Sequence, residues 1–148
     1  MAEIYRANYS GIEGFAKELV IKRLREEFAL RPTVVQMFLD EARIAAQLSH
    51  PNVVGIVDVG QVEGAYYLAM EYVHGVDLHE MLRSFTGTVM PLQHALTVAT
   101  ALCAALEYVH ARCDLDGRHL GLVHRDVSPS NVLLNMLPKI ATIENFRF

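Results

Sequence analysis

The order of apolar and polar residues predicts strands near 2–8, 16–23, 54–60 and 65–72, and helices near 33–48, 77–84 and 92–112. In the first helix Val34, Val35, Phe38, Ala42 and Ala45 recur at the three-and-four spacing of a single face. The segment 92–112 is different. Leu92, Leu96, Ala99, Leu102, Cys103, Leu106 and Val109 are joined by Ala95, Val98, Ala101, Ala104 and Ala105, so its apolar surface runs nearly all the way round. A helix of that kind must be covered on several sides. Contact with a second copy or a partner through helix 92–112 is one way to cover it.

Turn-forming residues punctuate these elements. Thr33 fits the N-cap of the first helix, and His50-Pro51-Asn52 fits its end, because proline cannot continue the hydrogen-bond ladder. Gly60 and Gly64 bracket a predicted hairpin turn, and Gly11 and Gly14 fit the connection between the first two strands. His74-Gly75-Val76 marks the expected boundary between two lobes, where glycine lets the backbone turn.

The most informative stretch is His124-Arg125-Asp126-Val127-Ser128-Pro129-Ser130-Asn131, followed by apolar Val132-Leu133-Leu134, which reads as a short buried strand. An acid and a carboxamide five residues apart suit phosphoryl transfer: the acid accepts the proton of the attacking hydroxyl and the carboxamide holds a metal ion. Asp and Asn beside a proline also form ordinary side-chain turns. Leu19-Val20-Ile21-Lys22 places a lysine on a predicted strand, and Phe38-Leu39-Asp40-Glu41-Ala42 places a glutamate on the next helix. Read singly, each charge is a solvated surface group. Their order, with His50-Pro51-Asn52-Val53-Val54 and Met70-Glu71-Tyr72-Val73 between them and the Asp126 loop, is what carries meaning.

In that order the chain resembles the protein kinase family, specifically the bacterial Ser/Thr kinases that share the eukaryotic fold, over roughly residues 1–134. The resemblance implies an α+β, two-lobe fold in partial form: an antiparallel-sheet N-lobe with one helix over 1–73, and the start of a helical C-lobe over 74–148. It implies ATP and Mg2+ as ligands and a protein as substrate. Asp126 would be the catalytic base, Asn131 a magnesium ligand, Lys22 the contact to the α- and β-phosphates and Glu41 its partner. Met70 would be the gatekeeper, and Glu71 to Val73 the hinge whose backbone meets adenine. Asp77 would take the ribose hydroxyls, Ile4 and Val20 would roof the adenine, and Leu133 would floor it.

Three departures from the family pattern stand beside these matches. Residues 1–7 resemble the strand that follows the glycine-rich loop, with Ala2 where the last glycine of that loop stands in relatives, so the loop and the strand before it are expected to be missing. Pro138-Lys139-Ile140-Ala141 resembles the strand leading to the DFG motif, but Thr142-Ile143-Glu144 follows, so the metal-binding aspartate is replaced by a neutral hydroxyl. Ser128 occupies a position that is lysine in most Ser/Thr kinases. The expectation is therefore a kinase domain truncated at both ends, with phosphoryl transfer by this chain alone reduced. A non-catalytic, pseudokinase-like module that binds nucleotide or a protein, and a gene remnant, are the alternatives.

Composition narrows the classes further. The 148 residues are 52% hydrophobic with a formal charge of −4, enough apolar material for a core and no basic footprint for nucleic acid. No run of about 18 apolar residues suggests a membrane span, and the start lacks a signal-peptide core, so a cytoplasmic location is the default expectation. Cys103 and Cys113 are expected to be buried or idle thiols. Cys113, His110, His119 and His124 match no zinc-ligand spacing, and His110 reads as a packed core residue.

Overall fold

The computed structural model describes residues 1–85, 87, 89–114, 116–135 and 142–143, the last two by their backbone. The chain divides into two compact units, one formed by 1–48 with 55–72 and the other by 49–54 with 73–148.

The first unit is built on a four-stranded antiparallel sheet, ordered β1-β2-β4-β3, of β1 (Ala2–Ser10), β2 (Ala16–Leu24), β3 (Ile56–Val62) and β4 (Ala65–Glu71). Its two helices are the short α1 (Glu26–Ala29), which the residue pattern did not predict, and α2 (Pro32–Ala45). Gly11 and Gly14 lie in the β1–β2 connection as expected, and Gly14 takes φ 78°, a value natural to glycine. The β3–β4 turn is tighter than expected. Val62 pairs with Ala65, leaving only Glu63 and Gly64, both at positive φ, the geometry that matches the twist of paired strands. Gly60 belongs to β3, opposite Tyr67, whose ring crosses the place a β-carbon would take.

Helix α2 corrects both predicted ends. It starts at Pro32, with Arg31 as N-cap and no side-chain cap, because proline's fixed φ suits the first helical position and moves the start ahead of Thr33. It stops at Ala45, well before His50-Pro51-Asn52. There Gln47 and Leu48 donate their N–H groups to Ile44 and Ala45, three residues back, so the last turn tightens instead of continuing. Phe38, Ala42 and Ala45, the face read from spacing, are buried with Leu24, Leu68 and Met70 in this unit's core. Burial of each large side chain contributes about 1.5–3 kcal/mol.

The second unit contains α3 (Leu78–Ser84), α4 (Leu92–His110) and a three-stranded sheet ordered β5-β6-β7, of β5 (Gly75–Asp77), β6 (Val132–Asn135) and β7 (Thr142–Ile143). Gly75 is not a turn glycine. A β-carbon there would lie 1.7 Å from the Leu134 carbonyl oxygen, so β5 and β6 approach as closely as they do only because residue 75 has no side chain. Val98 of α4 packs with Val132 and Leu134 of β6, and Leu78, Met81, Ala101 and Leu102 close around them.

Helix α4 therefore spends Leu102 on its own unit, and Leu102 and Leu106 are only half exposed. The face left open is that of Leu92 and Leu96, 72% and 57% exposed, with Cys103 on the same helix also exposed instead of buried. By length and composition alone, α4 is long and apolar enough to cross a membrane, contrary to the reading of the residue pattern. Of its residues only Val98, Ala105 and Val109 are buried. His110 ends the helix in solvent and is not a core residue.

Candidate active site

The residues predicted to act on nucleotide fall into two sets, one in each unit. In the first, strand register does the positioning. Ile4 pairs with Lys22, Lys22 with Leu68, Arg6 with Val20, and Val20 with Met70. Directly opposed residues, and residues two apart on a strand, share a face. Ile4, Val20, Lys22 and Met70 are thus displayed on one side of the sheet. Met70 is buried and Val20 half buried, whereas Ile4 is exposed.

Glu41 of α2 meets Lys22 of β2, with Nζ 2.7 Å from Oε1. The two side chains retain only 11% and 15% exposure, which sets this contact apart from the exposed pairs Arg23–Glu26 and Arg43–Asp40. A screened surface pair contributes little, about 0.2–1 kcal/mol. A pair this sheltered holds a cation at a defined place, since neither charge can leave its partner without loss.

The end of β4 is tied down separately. The Glu71 N–H donates to the Gly55 carbonyl at 2.9 Å, and Glu71 Oε1 accepts from the Gly55 N–H at 3.1 Å. The residue read as the first of the hinge thus anchors its own strand end through both backbone and side chain. Next to it, the Arg6 guanidinium lies 4.4 Å from the centre of the Tyr72 ring and also binds Glu18. Those contacts hold the Arg6 guanidinium above its ordinary pKa, chiefly through the hydrogen bond to Glu18.

In the second unit, the 124–131 loop is organised around Asp126. The Asp126 N–H donates to Nδ1 of His124 at 3.3 Å, and the Asp126 carbonyl accepts from Nδ2 of Asn131 at 2.9 Å. His124 is 1% exposed and Asn131 is buried, so both bonds sit in sheltered surroundings. With Nδ1 accepting, His124 carries its proton on Nε2. Arg125 between them takes φ 61°, a conformation costly to a residue with a β-carbon. The loop ends in a single turn over Pro129–Asn131, closed by the Asn131 N–H on the Ser128 carbonyl, and β6 follows directly. His124 was not among the residues singled out as functional. Its signal was its place two residues before Asp126, the spacing that lets its ring reach that N–H.

Asp77 and Leu133 are cross-strand partners in β5 and β6. Asp77 Oδ1 accepts the Glu80 N–H at 2.7 Å, so the predicted ribose ligand is also the N-cap of α3. Val73 begins the longer segment of the second unit and is half buried. Thr142 pairs through its backbone with Leu133, while Glu144 and the segment 136–141 lie outside the described residues.

Among the described residues no group of three or more His, Cys, Asp and Glu side chains could hold a metal ion. The oxygen donors at Asp126 and Asn131 are the hard kind that suit Mg2+, which completes its shell from water and substrate phosphates and asks few protein ligands. Asn131 donates its amide N–H to the Asp126 carbonyl, and Oδ1 is the atom of that side chain with the chemistry to ligate a cation.

Comparison with known proteins accords with this order of elements. The protein kinase domain model matches residues 9–143. The chain is 40% identical over 147 residues to the tyrosine-protein kinase MasK of Myxococcus xanthus, covering 97% of this chain and 23% of that protein. It is 33% identical over 134 residues to the serine/threonine-protein kinase PknI of Mycobacterium tuberculosis, covering 90% of this chain and 21% of that one. The crystal structure of the PknI kinase domain superposes with a TM-score of 0.76 at 31% identity, over 99% of this chain and 54% of that chain. The chain thus spans about a fifth of the curated relatives' length and about half of the solved kinase domain. A lysine strand, a glutamate helix and an Asp126 loop in this sequence and this fold have one common explanation: the chain belongs to the protein kinase family.

Proposed function

We propose that this chain serves ATP-dependent phosphoryl transfer to the hydroxyl of a serine or threonine in a protein. The observation that carries the proposal is the sheltered Lys22–Glu41 pair, because an ammonium held 2.7 Å from a carboxylate is a preorganised anchor for phosphate oxygens. In this reading Lys22 binds the α- and β-phosphates, Glu41 fixes its position, and the hinge backbone from Glu71 to Val73 receives adenine under Met70. The kinase resemblance assigns Ile4 and Val20 to the cover of the base, Leu133 to its floor and Asp77 to the ribose hydroxyls. Asp126 accepts the proton of the attacking hydroxyl, and its peptide groups, bound by His124 and Asn131, orient the carboxylate. Magnesium, when bound to Asn131, neutralises phosphate charge. Labelling a protein with this chain and ATP, then analysing the phosphoamino acids, tests the acceptor class. Phosphoserine and phosphothreonine are expected, and phosphotyrosine alone would overturn it.

A second reading, a pseudokinase-like module that binds nucleotide without transferring phosphate, is favoured by one observation: Thr142 stands where the resemblance puts the metal-binding aspartate. A hydroxyl is a weaker ligand for Mg2+ than a carboxylate. Calorimetry with adenosine and ATP, with and without magnesium, separates the two. Similar weak affinities for both ligands favour the binding module, and a large magnesium-dependent gain for ATP favours the transferase.

A further inference from the structure

Between α4 and the 124–131 loop the chain makes a tight hairpin that the kinase reading does not use. The Leu120 N–H donates to the Arg112 carbonyl and the Asp114 N–H to the Arg118 carbonyl, each at 2.9 Å. Asp114 Oδ1 braces the tip by accepting the N–H groups of Asp116 and Arg118, both at 2.9 Å. These bonds flank Cys113 and His119, which face each other across an isolated antiparallel bridge. A pair flanked in this way has the closest side-chain approach an antiparallel ladder offers. Cys113 Sγ lies 3.7 Å from His119 Nδ1, an approach that the backbone register allows.

Two acceptors therefore surround one thiol proton. The Ala111 carbonyl oxygen lies 3.6 Å from Sγ, and His119 Nδ1 lies at 3.7 Å. Of the two, only the imidazole can take the proton away, and a thiol beside a base is the arrangement of an activated sulfur nucleophile. Cys113 is free and partly buried, His119 is exposed, and so the pair is open to small molecules. Cys103, the other free cysteine, is more exposed and lies on the open side of α4.

We propose that Cys113 is a site of oxidation by hydroperoxides, with His119 as the base. The thiol proton passes to His119 Nδ1, and the sulfur attacks one oxygen of the peroxide as the O–O bond breaks. The departing hydroxide, or alkoxide from an organic hydroperoxide, takes the proton back from His119 and leaves as water or an alcohol. Sulfur is oxidised by two electrons to the sulfenic acid, and the peroxide is reduced. His119, the base of the pair, lies five residues before His124 on the segment that leads into the Asp126 loop.

The test is brief exposure of the chain to hydrogen peroxide, trapping of sulfenic acid with dimedone, and quantification of the two cysteine peptides by mass spectrometry. Cys113 should react about tenfold faster than the more exposed Cys103, a modest share of what a positioned base can supply. Both His119→Ala and His119→Gln should remove that advantage and leave Cys103 unchanged, the glutamine keeping a polar side chain in the bridge should alanine loosen it. Equal reactivity of the two cysteines overturns the proposal. So does a Cys113 rate that persists or rises in the glutamine variant, which would show a hairpin that merely shields the thiol.

Discussion

The Asn131 carboxamide reaches back five residues to hold the Asp126 carbonyl at 2.9 Å. With His124 accepting the Asp126 N–H, the peptide groups of the proposed base are bound on both sides. That bracing offsets the positive φ of Arg125. Replacing Asn131 by leucine should therefore do more than remove a magnesium ligand. Loss of a buried hydrogen bond that leaves a carbonyl unpaired costs about 1–3 kcal/mol. The check is a urea titration, in which the Asn131→Leu midpoint should fall clearly below that of the parent chain.

The Lys22–Glu41 contact predicts an asymmetry between its partners. Glu41→Gln keeps a hydrogen-bond acceptor for Lys22 and should weaken ATP binding moderately, whereas Lys22→Met removes the phosphate anchor and leaves Glu41 sheltered without its cation. Removing one member of a buried pair costs about 3–5 kcal/mol. At 11% and 15% exposure the lower end applies. Thermal unfolding and ATP titration of both variants should rank Lys22→Met as the more damaging in each assay.

Two glycines should fail for different reasons. Gly75→Ala forces a β-carbon onto the Leu134 carbonyl, where backbone must move, and should cost about 3 kcal/mol or more. Gly64→Ala meets no atom within 4 Å, yet φ 82° disfavours it, so a penalty near 1 kcal/mol is expected. Denaturant unfolding of the two variants should preserve that order.

Tyr67 supplies a prediction in pH. Its hydroxyl donates to Asp58 Oδ2 at 2.8 Å, and this bond holds the phenol above its ordinary pKa. A raised folded pKa means that the contribution is fully present below the unfolded phenol value and is lost as pH rises through the folded one. Spectrophotometric titration of phenolate should show one tyrosine of the six moving to lower pKa in Asp58→Asn.

Much of this architecture was legible because periodicity and chemistry agreed. The four strands of the first unit and the helices α2, α3 and α4 follow the residue pattern, and Lys22, Glu41, Asp126 and Asn131 were singled out by their order along the chain and its resemblance to the kinase pattern. What escaped was decided by contacts distant in sequence or by backbone geometry. The start of α2 was set by proline at its first position and not by Thr33, and its end by bonds to residues three back. Gly75 read as a turn residue, although its role depends on Leu134, 59 residues away by subtraction of the two positions. Which side of α4 is covered could not be read from its nearly continuous apolar surface, because nothing local reveals that Val132 and Leu134 pack against Val98 and Leu102. The Cys113–His119 pairing needed the hairpin register, which neither residue carries in its own identity.

The most direct test of the central claim is radiolabel transfer from ATP to a generic basic protein by the chain, its Asp126→Asn variant and its Thr142→Asp variant. The account predicts slow transfer that disappears in Asp126→Asn and rises in Thr142→Asp by about 10²-fold, the scale of one preorganised electrostatic contact. Transfer that continues unchanged in Asp126→Asn would contradict it.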